Sequence, residues 1–213
     1  LLLNCVSVKT HTLFATKASR LLVTNPDLLQ SIDDLERHYH SPGNSSRTKI
    51  SHNLTAPMQT WLTHSSFFIL STCTLDGLDC SPRGDRPGEA FRILDSNTLA
   101  IPDRRGNNRI DTLRNLLVDS RVGLLFIVPG IGEALRIKGR ASISIAPDLL
   151  ASFVSQDEPA PATVLLINIT AAYMQNARAL RVSGLWDVEN HTDASQLPTA
   201  QELIGNAMPD ATS

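Results

Sequence analysis

The sequence predicts a mainly β, antiparallel fold with flanking helices, closing into a small barrel. Three observations carry this. Short apolar stretches recur between Phe67 and Ile169, several of them joined by turn residues at Asp76–Gly77, Asp95–Asn97 and Pro129–Gly130–Ile131–Gly132. From Leu135 the chain alternates, with Leu135, Ile137, Ala141, Ile143 and Ile145 on one face and Arg136, Lys138, Arg140, Ser142 and Ser144 on the other. Few helical patterns interrupt the strands, as in antiparallel barrels.

Taken in order, residues 1–24 carry Lys9, Lys17 and Arg20, several Ser and Thr, no acid and no initiating Met. They are expected to be a poorly ordered or non-native extension, although their composition also suits an organellar transit peptide. Asn25 and Pro26 suit the start of a helix running to about Tyr39, and a second helix is expected over Ala56–His64. Strands follow at Phe67–Cys73, Leu78–Ser81, Phe91–Leu94 and Leu99–Ile101. The segment TLAIPDRRGNNRIDTLRNLLVDS, residues 98–120, then reads as strand, polar loop and helix. Asn107 or Asn108 is expected to cap that helix, with Asp111 near a capping-box position and Ile110, Leu113 and Leu117 facing inward. Val122–Val128 and Val164–Ile169 read as buried strands, Pro147–Asp148 opens a short helix, and Tyr173–Leu180 looks helical. The tail from Glu189 has weak periodicity.

At 213 residues and 42% hydrophobic content the chain holds one ordinary domain, or one domain with tails. Its 19 basic and 21 acidic residues and pI near 6.3 imply no general attraction to nucleic acid. No apolar run reaches the roughly 18 residues of a membrane helix, and a cytoplasmic location is expected. The three cysteines form no disulfide framework. An Asp76–Gly77 turn would set Cys73 directly across from Cys80, roughly 5.5 Å apart at Cα, although reduced thiols are expected.

Positive charge is concentrated locally in Arg83, Arg86, Arg92, Arg104, Arg105, Arg109, Arg114 and Arg121. Arginine suits planar, multidentate recognition of phosphate or carboxylate, and a helix start beside Arg104, Arg105 and Arg109 suits an anion. In Ser81-Pro82-Arg83-Gly84-Asp85-Arg86-Pro87-Gly88, proline and glycine are expected to stop the ladder and expose backbone to a ligand. Arg83-Gly84-Asp85 is also the tripeptide of integrin ligands, and an Arg83–Asp85 salt bridge is a third reading. Ligand contact is favoured, because a second loop with Arg and Gly recurs at residues 103–109. The sequence has no Walker phosphate loop, no GxGxxG and no GxSxG, and its histidines form no ligand cluster. A redox cofactor, which needs binding and orientation from the protein, suits such a chain.

Together these residues resemble the pyridoxamine 5′-phosphate oxidase-like proteins, the FMN-binding split β-barrel family, and within it a subgroup of FMN-dependent enzymes. The resemblance runs from about Asn25 to Asp187 through SPRGDRPG, LAIPDRRGNNRIDTLRNLL, RVGLLFIVPG, LRIKGRA and ARALRVSGLW. It implies an antiparallel, Greek-key-like split barrel over residues 25–188, with N-terminal helices and a tail at 189–213. It further implies a homodimer with FMN at the interface, hydride transfer to flavin N5 from a small substrate, and no protein nucleophile. Phosphate would be held by Arg83, Asn107, Asn108 and Arg109. The ring would lie along Ser81–Pro82 and beside Pro102–Asp103, and Arg181 and Trp186 would approach the partner's flavin. Here Asn107-Asn108-Arg109 stands where the oxidases have Ser-Arg-Lys, and Pro102-Asp103 where they have Tyr-Thr. Asn176, Val182 and Gly184 depart from the subgroup's closing motif. A flavin-binding protein without turnover, and a deazaflavin- or haem-using variant, are the alternatives.

Overall fold

The structure, a computed structural model, describes residues 28–39, 49–75, 77–106, 108–156 and 158–205. Residues 1–24, the Asn25–Pro26 start and Asn107 therefore lie outside the described residues. The chain divides into two units, Leu1–Arg47 and Thr48–Ser213. In the first, helix α1 (Ile32–His38) starts well after Pro26, where the Ser31 hydroxyl accepts from the Asp34 N–H at 3.0 Å. Asp33 and Asp34 at its start and Arg37 and His38 at its end complement the helix dipole.

The second unit begins with α2 (Ala56–Leu62), capped by Thr55, and continues into seven strands. These are β1 (Phe67–Thr74), β2 (Gly77–Gly84), β3 (Arg92–Asp95), β4 (Thr98–Asp103), β5 (Arg121–Ile127), β6 (Glu133–Ser144) and β7 (Thr163–Asn176). Helix α3 (Asp111–Val118) follows β4 and α4 (Pro147–Ser152) follows β6. After β7 come α5 (Arg178–Val182), 3-10 turns at Val188–Asn190 and Ala194–Gln196, and α6 (Ala200–Gly205).

Every pairing is antiparallel, in the order β2-β1-β5-β6-β7-β4-β3. Because β1 pairs with β5, the chain passes through the β3–β4 hairpin at the far end of the sheet and through α3 before it returns beside β1, a Greek-key-like path. One core gathers Phe68 and Leu70 of β1, Leu99 and Ile101 of β4, Phe126 of β5, Leu135 and Ile137 of β6 and Leu165 and Ile167 of β7. A sheet whose far strands share one core has curled on itself, and β2 and β3 remain as its ends. This is the split barrel. Phe68 stacks on Phe126 at 4.7 Å, and Phe91 meets both rings edge-on. On the opposite face of β4 and β7, Ala100 and Val164 pack with Phe153, beside Leu149 and Leu150 of α4.

Several expectations need correction. The ladder does not stop at Pro82 but runs to Gly84, with Pro82 opposite Ile69. A proline that cannot donate is tolerated because β2 is an edge strand. Thr74 pairs with Gly77, so Cys73 faces Leu78 and Cys80 faces Ser71. The cysteines are therefore diagonal neighbours, and both are free thiols.

Of the helix expected over Tyr173–Leu180, Tyr173–Asn176 is instead the end of β7, and only Arg178–Leu180 are helical, in α5. Lys138 pairs with Ala171 and Gly139 with Ile169, which leaves Thr170 as the extra residue of a bulge. The inward set of β7 thus changes from Leu165, Ile167 and Ile169 to Ala172 and Met174, and strict alternation is lost. Gly139 is required here, because a Cβ on it would meet the Asn168 carbonyl oxygen at 2.5 Å.

Helix α3 also presents a different face from the one expected. Thr112, Asn115 and Leu116 are buried and Leu113 packs against the core as expected, whereas Ile110 and Leu117 are exposed. Asn115 is buried because its Nδ2 donates to Thr72 Oγ1 of β1 at 3.0 Å.

Candidate functional site

The two arginine-bearing segments meet at one end of the barrel. On β2, Ser81 lies opposite Leu70 and Arg83 opposite Phe68, so both side chains share the core-facing side of that strand. On β4, Asp103 lies two residues beyond the buried Ile101, on the same face, and pairs with Thr163. The ends of β2 and β4 thus point polar groups where the core runs out.

Arg83 Nη1 donates to Asp103 Oδ1 at 2.9 Å, with both side chains largely buried. Reciprocally, Arg104 Nε donates to Asp85 Oδ2 at 2.9 Å, and Arg104 Nη1 to the Pro159 carbonyl at 3.1 Å. Glu89 and Glu158 each approach Arg104 at 3.9 Å. In place of an Arg83–Asp85 bridge, one of the alternative readings of this tripeptide, two crossed pairs form. With Arg83 and Asp85 both tied inward, the integrin-ligand reading also loses its geometry. Burial pushes the Asp85 carboxyl up, but hydrogen bonds from Arg104 and the Arg86 N–H, with the charges of both arginines, outweigh it and hold the group below its ordinary value.

Arg83, Asp103, Arg104, Arg105, Asn108, Arg109 and Thr112 line a cavity of about 250 Å³. A second, of about 240 Å³, is lined by Pro82, Arg83, Ala90, Pro102 and Arg104. Arg83 and Arg104 belong to both. Asn108 does not cap α3: it sits at φ 58°, in the left-handed region that asparagine tolerates. The helix starts at Asp111, after Ile110, without a side-chain cap. Arg109, exposed at the rim, donates from Nε to Asp111 Oδ2 at 2.6 Å.

The structure thus brings together Pro82, Arg83, Pro102, Asp103, Asn108 and Arg109 of the residues singled out from the sequence. Ser81 is adjacent on β2, and its hydroxyl is buried with no partner. Arg181 of α5 is exposed and Trp186 half-buried. Neither lines the two cavities. Trp186 Nε1 donates to the Ile131 carbonyl at 3.1 Å, which sets its ring beside the β5–β6 turn of its own chain. Sequence reading missed Thr163, whose buried hydroxyl next to Asp103 also has no partner. Its only signal was its place at the start of an apolar strand.

The donor set fits a phosphate ester. Four arginines line the first cavity around Asp103, and Arg83 Nε is buried without a partner. Buried polar groups are otherwise hydrogen-bonded as a rule, so an unmatched guanidinium nitrogen marks a place where an acceptor is wanting.

Comparison with known proteins follows the same lines. The pyridoxamine 5′-phosphate oxidase family model matches residues 54–176, more than half of the chain. No curated protein matches it. Among solved structures, HupZ of Group A Streptococcus is 16% identical, covering 58% of this chain and 95% of that one at a TM-score of 0.48. A Lactobacillus delbrueckii protein provisionally named a pyridoxamine 5′-phosphate oxidase is 21% identical, covering 59% and 99% at a TM-score of 0.47. General Stress Protein 26 of Bacillus anthracis is 16% identical, covering 54% and 88% at a TM-score of 0.42.

Proposed function

Because the chain belongs to the pyridoxamine 5′-phosphate oxidase family, we propose that it is an FMN-dependent oxidoreductase acting on a small substrate. The observation that carries this reading is the single cavity to which Arg83 and Asp103, Asn108 and Arg109 all contribute from segments separated in sequence. Arg83 and Arg109 would hold the phosphate, with Asn108 beside them in the loop. Ser81, Pro82 and Pro102 would line the path of the ring, where the apolar faces of the two prolines exclude water. When bound, FMN would supply hydride acceptance at N5 of its ring. Arg104 acts differently from the other arginines. Its contacts to Asp85 and Pro159 spend its donors on the protein, so it fixes the loop after β4 and leaves anion binding to its neighbours.

We assign the assembly as a homodimer, with Arg181 and Trp186 approaching the flavin of the second copy. This is supported by membership of the family and by the exposure of Arg181 on α5. Among the described residues no helix is long and apolar enough to cross a membrane.

The test is to purify the protein, identify any released chromophore by mass, and follow bleaching of the bound flavin by NAD(P)H or candidate substrates. FMN release with bleaching supports the oxidoreductase. FMN release with no bleaching by any reductant supports a binder without turnover. A protein that neither carries FMN nor takes it up refutes the reading.

A further inference from the structure

We infer that Asp103 is a specificity-determining residue: it occupies the phosphate anchor from within and so shifts recognition from the phosphate toward the rest of the ligand. This rests on the flavin reading above. Arg83 gives Nη1 to Asp103 at 2.9 Å, and its Nε is buried without a partner. One of the three guanidinium nitrogens is therefore spent on Asp103, and an entering phosphate must share Arg83 with that carboxylate. The Asp103 side chain, 16% exposed, lines the same cavity, so its charge faces any phosphate that enters. A carboxylate held in a poorly hydrated place repels a second anion more than it would in water. Of the neighbouring arginines, Arg104 holds Asp85 and the rim residue Arg109 shares its charge with Asp111.

Removing the charge of Asp103 acts twice in the same direction. It releases a donor of Arg83 and removes a repulsion. Neither effect touches a ligand that lacks phosphate. The parent protein should therefore prefer FMN over riboflavin only modestly, and the preference should grow when Asp103 is neutralised.

The experiment measures dissociation constants for FMN and for riboflavin by quenching of flavin fluorescence. It uses the parent, Asp103→Asn, Arg83→Ala and the double variant. The expected result is an FMN preference that rises about tenfold in Asp103→Asn, the size of one charge-assisted contact. Riboflavin affinity should be unchanged, and in the double variant the gain should shrink to the part that comes from the lost repulsion. Asp103→Ser, which also removes the charge, repeats the comparison if the amide variant does not fold. An FMN preference that stays level or falls in Asp103→Asn, while Arg83→Ala lowers it, overturns the role of Asp103 and leaves the flavin reading intact. Equal affinity for FMN and riboflavin in all four proteins overturns both.

Discussion

Arg83 on β2 reaches Asp103 on β4 at 2.9 Å, although the two strands lie toward opposite ends of the ladder. The return contact, Arg104 to Asp85, also spans 2.9 Å. Each arginine-bearing segment thus gives a carboxylate to the other's arginine. The seam of the split barrel is joined by side chains where backbone pairing ends, and the proposed flavin site lies in that seam.

The seam has a pH signature. Asp85 is held below its ordinary pKa, so its contribution to stability is fully present above the unfolded value of about 3.9 and is lost as pH falls through the lower folded value. Asp85→Asn should unfold at a lower temperature than the parent at pH 7, and the gap should close below about pH 4. A gap of constant size from pH 7 down to acid unfolding would show that the pair contributes no linkage.

A second stability prediction concerns the buried pair under α3. Asn115→Ala leaves Thr72 Oγ1 without its partner and should cost about 1–3 kcal/mol in urea unfolding. Thr72→Val with Asn115→Leu removes both polar groups and should cost less. A loss within about 0.5 kcal/mol for Asn115→Ala would mean that the contact adds little.

At the bulge of β7, Gly139→Ala drives a methyl group into the Asn168 backbone oxygen. Thermal unfolding should fall by several degrees, for a cost of about 1–3 kcal/mol. Gly132→Ala, which meets nothing within 4 Å, should change little. Equal effects at the two positions would contradict the bulge geometry.

Much of the barrel was legible because alternation survives in β6 and apolar runs mark β1 and β5. What escaped had physical causes. Thr170 shifts the inward set of β7, so Ile169 and Ala172 take a spacing that imitates a helix. Thr112 and Asn115 are polar, and only Thr72, 43 residues away from Asn115, makes burial of the asparagine favourable. At the site, arginine and glycine recurrence singled out two segments that the structure joins by ion pairs. The carboxylate that each arginine takes was not legible, because local spacing favours Asp85 for Arg83 while the folded seam brings Asp103.

Assembly gives a further expectation. If a second copy completes the flavin site, FMN stabilises the dimer by mass action. Sedimentation across a dilution series should show FMN moving the equilibrium toward dimer. A monomer holding FMN stoichiometrically would remove the interface roles of Arg181 and Trp186.

The most direct test of the central claim is the affinity for FMN in Arg83→Ala. Arg83 lines both cavities, whereas Arg114 lines neither and lies exposed on α3. Fluorescence titration should show FMN binding weakened about tenfold or more in Arg83→Ala, less in the rim variant Arg109→Ala, and unchanged in Arg114→Ala. FMN binding equally tight in the parent and in a folded Arg83→Ala would contradict the account.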